Sequence, residues 1–381
     1  MSRIDDLIKE KCPEGVTFKP LREVTNLTAG DRIIKSMMSD DADYPVMGGG
    51  DKPTGRYNDY NFEHSVTISR AGSAGSVNWL DSRFWATDVC FVASQKKDGP
   101  DIKFVYYYLC SQESVLKTKI YGGNLPKLSK QFLWELPIPL PPFEIQQEIV
   151  RMLDSFTELE AELEAELTKR KQQYEHYYNL LLSFDEDSIE RIPLRDLAEF
   201  RNGKGHERNI VQDGEYIVVN SKYISTDGQV AKYTDFQICP LFKDDICLVM
   251  SDLPNGKALA KCILIDENNR YSLNQRIGAF SNKNPNITLN KYLFYVLNRN
   301  PQLLRYDNGT DQTNLRKDDI LNISIPVPDL KTQEKIVYML DNFNKICSDL
   351  TVGLPAEIEA RHKQYEYYRD KLLTFEEKVV Q

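Results

Sequence analysis

Histidine is scarce in this chain, and its copies are scattered. His64, His176, His206 and His362 form no i, i+4 pair and adjoin no acidic cluster at ligand spacing, which argues against a metal centre. No two cysteines make a C-x-x-C pair. The seven present (Cys12, Cys90, Cys110, Cys239, Cys247, Cys262, Cys347) are odd in number, which argues against a disulfide framework and a zinc finger. Reduced thiols in the cytoplasm are the expectation, with Cys90 and Cys110 as core residues. No apolar run approaches the roughly 20 residues of a membrane span. Residues 1–10 are charged throughout and lack the apolar core of a signal peptide. Phosphate-loop spacing is missing too: Gly48-Gly49-Gly50-Asp51-Lys52-Pro53-Thr54-Gly55 and Asn255-Gly256-Lys257-Ala258 read as turns. Leu140-Pro141-Pro142-Phe143 has leucine where an amino-methyltransferase motif needs a hydrogen-bond acceptor, so it reads as a helix start.

What is present is a repeat. Pro139-Leu140-Pro141 leads into Gln146, Ile149, Val150, Met152, Leu153, Asp154 and Phe156. Pro326-Val327-Pro328 leads into Gln333, Ile336, Val337, Met339, Leu340, Asp341 and Phe343, each 187 positions later. That period is too long for a solenoid unit and fits a globular domain plus a connector. With 381 residues, 41% of them hydrophobic and 28% charged, the chain has room for two to three soluble domains.

The connectors read as long helices. After Pro142, apolar residues recur three or four apart at Ile145, Ile149, Leu153, Phe156, Leu159, Leu163 and Leu167, then at Tyr174, Tyr177 and Leu181, stopping near Phe184. The second connector ends with Gln364-Tyr365-Glu366 against Gln173-Tyr174-Glu175, an offset grown to 191. Gly353-Leu354-Pro355 interrupts it, and proline there should kink the helix or restart it. Two amphipathic helices that return on each other would bury their stripes as an antiparallel pair. The tandem repeat Leu159-Glu160-Ala161-Glu162, Leu163-Glu164-Ala165-Glu166 reads either as a solvated helix face or as a spacer whose unit is about 6 Å long.

The segments between the connectors echo each other. Pro20-Leu21-Arg22-Glu23-Val24 matches Pro193-Leu194-Arg195-Asp196-Leu197, and Tyr44-Pro45-Val46 matches Tyr216-Ile217-Val218. Phe104-Val105-Tyr106-Tyr107 matches Tyr292-Leu293-Phe294-Tyr295. Short β-branched and aromatic runs between Gly/Asn/Asp turns predict strand-rich domains. The expected fold is therefore α+β: two similar strand-rich α+β globular domains separated by two long antiparallel helices, an internal pseudo-two-fold duplication. The expected boundaries are 1–142 and 188–328 for the domains, 143–187 and 329–381 for the helical spacers.

Charge follows the same division. The net charge of −9 sits on the connectors, with 12 acidic and 4 basic side chains in 143–187 and 10 and 8 in 329–381. The domains are nearly neutral, with 18 and 18, then 17 acidic and 18 basic. Because fields are local and screened within about a nanometre, a neutral domain can still present a basic face to nucleic acid. A polar loop precedes each connector, running from Gly122 to Lys130 and from Gly309 to Lys317. Gln and Asn can bond adenine bidentately, and Arg and Lys can bond guanine. On those grounds Arg56, Arg70, Asn124, Lys127 and Lys130 are candidate DNA contacts in the first domain. Lys222, Lys257, Gln312, Asn314, Arg316 and Lys317 are candidates in the second; all these residue types also serve as plain solvated surface.

At the paired P-x-P…Q-x-x-I-V helices, the polar loops before them and Cys12-Pro13-Glu14-Gly15-Val16, the chain resembles the specificity subunits of Type I restriction–modification systems over essentially its whole length. The resemblance implies a non-catalytic subunit, with two target recognition domains reading one half-site each of a bipartite double-stranded DNA target. It implies two docked methyltransferase (M) subunits that hold S-adenosylmethionine and methylate adenine N6, and restriction (R) subunits that use ATP and Mg. No cofactor or metal is expected in this chain itself, no membrane contact, and the cytoplasm as its location. A stand-alone DNA-binding regulator and a self-contained nuclease are the other classes considered; no carboxylate constellation points to the nuclease.

Overall fold

A computed structural model describes residues 3–124, 126–185, 188–253, 258–307, 309–348 and 353–378. The first half runs α1 (Arg3–Lys11), β1 (Thr17–Pro20), α2 (Leu21–Val24), β2 (Asn26–Ala29), β3 (Tyr44–Met47), β4 (Gly55–Tyr57), β5 (Ser65–Ser69) and β6 (Val77–Leu80). It continues β7 (Trp85–Ala86), β8 (Cys90–Ser94), α3 (Ile102–Ser111), α4 (Glu113–Thr118), β9 (Ile120–Tyr121), β10 (Lys127–Leu128), α5 (Lys130–Glu135) and β11 (Pro137–Leu140). A 40-residue helix, α6 (Phe143–Leu182), follows.

The second half repeats the plan. It runs β12 (Arg191–Pro193), α7 (Leu194–Leu197), β13 (Ala198–Asn202), β14 (Ile210–Val211), β15 (Tyr216–Val219), α8 (Ser221–Ser225), β16 (Tyr233–Thr234) and β17 (Ile246–Val249). Then come β18 (Ser251–Asp252), β19 (Cys262–Leu264), β20 (Tyr271–Leu273), β21 (Ile277–Asn282), α9 (Asn290–Leu297) and α10 (Pro301–Leu304). It closes with β22 (Thr313–Asn314), α11 (Lys317–Leu321), β23 (Ser324–Pro326), α12 (Leu330–Ser348) and α13 (Leu354–Leu372).

The chain divides into two compact units, one of residues 1–166 with 356–381 and one of residues 167–355. In the first, β2-β8-β5-β6 form an antiparallel sheet, and β4-β3-β7 a smaller one in which β3 and β7 run parallel. In the second, β13-β21-β17-β19 form the antiparallel sheet, and β14-β16-β15-β20 a second four-stranded sheet in which β15 and β20 run parallel. Strands β5 and β17 are buried along their whole length, which explains their uninterrupted Ser/Val/Thr/Ile and Ile/Cys/Leu/Val composition: neither face meets water. Cys90 and Cys247 are buried, and Cys110 is half-buried against the apolar core of the first unit.

The connector helices pack within each unit. In the first unit the Phe156 and Tyr368 rings stack 5.4 Å apart, and the His362 ring lies 2.9 Å from the Glu160 carboxylate. The partner moves back from Tyr368 to His362 along α13 as α6 advances from Phe156 to Glu160, so the two run antiparallel there. In the second unit Tyr177 stacks on Phe343 at 5.2 Å, the corresponding contact between α6 and α12. The interruption read at Gly353-Leu354-Pro355 is a restart: the chain bends at Gly353, and α13 begins at Leu354 with Pro355 in its first turn, where its missing N–H costs nothing. Residues 372–378 then return to the start of the chain. The Val16 N–H donates to the Glu376 carbonyl at 2.8 Å, and the Lys378 N–H donates to the Val16 carbonyl at 2.9 Å. Gly15 sits at φ +86° with the Glu376 carbonyl 2.5 Å from where a Cβ would stand, so no side chain fits there.

Among the described residues no helix is long and apolar enough to cross a membrane. None of them forms a group of three or more His, Cys, Asp or Glu able to hold a metal ion.

Candidate nucleic-acid interface

The polar residues of the long-period repeat face inward. Gln146 accepts from the Asp101 N–H at 2.8 Å and donates to the Pro141 carbonyl at 2.7 Å. Gln333 accepts from the Leu289 N–H at 2.9 Å and donates to the Ile287 and Pro328 carbonyls at 2.9 and 2.8 Å. Each glutamine thereby ties the start of a connector helix to the start of the buried α3 or α9. Asp154 accepts from Lys103 Nζ at 2.9 Å and from the Tyr107 hydroxyl. Asp341 accepts from Lys291 Nζ and the Tyr295 hydroxyl, both at 2.6 Å. Burial first, and the neighbouring carboxylate second, push the pKa values of Tyr107 and Tyr295 up, so both hydroxyls stay protonated donors. These side chains build the scaffold, with the two glutamines buried and the Lys291–Asp341 pair partly exposed at its surface.

The loops before the connectors lie against the large sheets. In the first unit Ala71 bridges to Lys127, and the Leu128 N–H donates to the Arg70 carbonyl at 2.8 Å. In the second unit β18 pairs with β22, Ser251 opposite Asn314, and the Leu315 N–H donates to the Met250 carbonyl at 2.7 Å. Gly122 (φ +90°) and Gly309 (φ +68°) turn the two loops alike, at a backbone angle that other residues rarely adopt. The scaffold places Arg70 beside Lys127, and Met250 in Arg70's position beside Asn314.

The candidates read from sequence fall into three groups. Arg70, Lys127 and Lys130 are brought together in the first unit. The Arg70 guanidinium lies 5.8 Å from the Phe91 ring centre and Lys130 Nζ lies 5.1 Å from that of Trp134. Phe91 and Trp134 meet edge to face at 5.0 Å. Asn124 is exposed at the tip of the same loop. In the second unit Gln312 donates to the Ser251 hydroxyl at 2.8 Å, and Asn314 and Arg316 are exposed. Lys317 there lies 5.5 Å from the Phe200 ring centre.

Arg56 and Lys222 stand apart from these loops. Arg56, on β4, donates to the Ala42 and Asp43 carbonyls, which leaves its guanidinium a bracing role. Lys222 is exposed on the short helix α8. Lys257 lies outside the described residues. Lys119 was not singled out from sequence: its backbone carbonyl accepts from the Ser129 N–H, and its ammonium lies 5.4 Å from the Phe132 ring centre. The pairing of Lys119 with Phe132 spans a hairpin, so only the fold brings them together.

The family described as "Type I restriction modification DNA specificity domain" matches this chain twice, over residues 13–169 and 186–360. The chain belongs to that family. It is 31% identical to a protein of Haemophilus influenzae described as a putative type I restriction enzyme specificity subunit, over 96% of this chain and 98% of the relative. It is also 31% identical to a type I restriction enzyme specificity subunit of Escherichia coli, over 78% of this chain and 77% of the relative. The crystal structure of a type I restriction–modification S subunit from M. genitalium shares the fold, with a TM-score of 0.59 at 19% identity, covering 94% of this chain and 96% of that one. The two family matches fall on the two copies of the scaffold described above.

Proposed function

We propose that this chain is the DNA sequence-recognition subunit of a Type I restriction–modification complex. It reads a bipartite double-stranded target, one half-site per unit, through the loops after β5 and before α5 in the first unit and after β17 and before α11 in the second. Two methyltransferase subunits dock on it and supply S-adenosylmethionine and the adenine methylation chemistry; restriction subunits bring ATP and Mg. The chain itself contributes recognition and no catalysis, and works in the cytoplasm. The observation that carries this reading is the double family match on a duplicated scaffold whose inward residues repeat and whose loop residues do not. A scaffold kept the same under two different reading surfaces suits a protein that must recognise two different short sequences.

Mapping methylated adenines genome-wide in cells with and without the gene tests it. A two-part motif with a fixed unread gap, lost on deletion, is the expected result. An unchanged map, with transcript levels altered at bound sites, would transfer the chain to the regulators instead.

A further inference from the structure

We infer that the two reading surfaces bind DNA by different physics: the first unit holds its half-site through phosphate charge, the second through neutral hydrogen-bonding groups. This rests on the function proposed above and adds a division of labour to it. The equivalent windows 119–134 and 306–321 carry opposite charge: three lysines and no acid in the first, two basic and four acidic residues in the second. In the first unit Lys119, Lys130 and Arg70 each stand over an aromatic ring, at 5.4, 5.1 and 5.8 Å from the ring centres. Among the described residues none of the three makes an ion pair with a carboxylate, all three are exposed, and Arg70 also donates to the Asp88 carbonyl at 3.5 Å, which leaves its charge in place. The rings hold the charged heads in place without neutralising them, which is what a surface that tracks a phosphate backbone requires.

The second unit has a ring-backed cation in Arg305, 5.1 Å from the Tyr306 ring centre, but loses the cluster around Arg70. Met250 takes the place of Arg70. Gly278, opposite Leu248 on the central strand as Phe91 is opposite Ile68, takes that of Phe91; the Phe200 ring lies 2.6 Å from where a Cβ on Gly278 would stand. Asn314 stands for Lys127. Lys317 keeps a ring beneath it, but Asp318 and Asp319 directly follow, and the Asp319 carboxylate accepts from the Arg316 N–H at 3.3 Å. The two carboxylates put negative charge beside Lys317, which opposes the approach of phosphates. Gln312 and Asn314 remain, with the amide geometry suited to adenine.

The test is the salt dependence of DNA binding by the full chain, purified with whichever subunits accompany it, on its mapped target duplex. The triple variant Arg70→Gln, Lys119→Gln, Lys130→Gln should flatten the plot of log Kd against log salt by about 2 to 3, at roughly 0.9 per phosphate contact. Between 50 and 200 mM salt it should therefore lose about 40-fold less affinity than the parent. The pair Arg316→Gln, Lys317→Gln should change the slope by less than about 1. Gln312→Ala with Asn314→Ala should weaken binding equally at all salt concentrations and relax sequence preference in one half-site only. Equal slope changes from the two charge variants, or none from the triple variant with an unchanged melting curve, overturn the inference. A parent protein that binds its duplex no better than unrelated DNA overturns the proposed function itself.

Discussion

At the scale of single residues, the repeated glutamine and aspartate are structural anchors. Gln333 is completely buried and satisfies one N–H and two carbonyls, whereas Gln146 satisfies one of each. Orphaning a buried polar group costs about 1–3 kcal/mol. Gln333→Ala should therefore destabilise the second unit by roughly that amount, and by more than Gln146→Ala destabilises the first, as read from urea midpoints. Buried tyrosines make a second prediction. Tyr107, Tyr295 and Tyr365 have folded pKa values above the ordinary tyrosine value of about 10, with burial as the main cause. Their contribution is intact below about pH 10 and is lost as pH rises above it, because the unfolded chain gives up those protons first. The urea midpoint should fall between about pH 9 and about pH 11.5, with no matching fall between about pH 7 and about pH 9.

At the scale of elements, the helices were the most legible part of the chain. The three-and-four spacing from Ile145 to Leu181 marked α6 to within a few residues, because a stripe of that length leaves no other period open. Pro355 announced a break, and the helix does restart there. It should tolerate Pro355→Ala within about 0.5 kcal/mol, since its first-turn N–H has no helical partner to lose. Thermal melting checks this. Deleting residues 163–166 removes one turn of α6; binding should then drop more on the native target than on one with a shortened gap, and equal loss on both would exclude a measuring role. The loops were legible as polar but not as contacts. Arg56 and Arg70 look alike in sequence, yet only the fold shows one bracing two carbonyls and the other standing over Phe91 with a single long bond to the Asp88 carbonyl. Lys119 was missed because its ring partner is Phe132, across a turn that composition alone does not close.

At the scale of the whole molecule, the duplication was readable from the recurrence of Pro-x-Pro and Gln-x-x-Ile-Val, and each unit carries its own four-stranded antiparallel sheet beside a mixed one, of three strands in the first unit and four in the second. Membership of residues 356–381 in the first unit was not readable, since it rests on long-range contacts such as Phe156 with Tyr368 and Val16 with Glu377. Removing residues 356–381 should accelerate hydrogen exchange around Leu153 and Phe156 while leaving Leu293 to Leu297 protected. Replacing residues 1–142 with the matching segment of a relative should alter one half-site of the methylation motif and spare the other. The same return of the chain governs the order in which the protein can be made. Residues 167–355 are contiguous and can fold as soon as they leave the ribosome, but the unit begun first must wait for residues 356–378 before its core closes. A translation product stalled short of that segment would carry a finished second reader and a half-built first one, and would be left to chaperones and proteases.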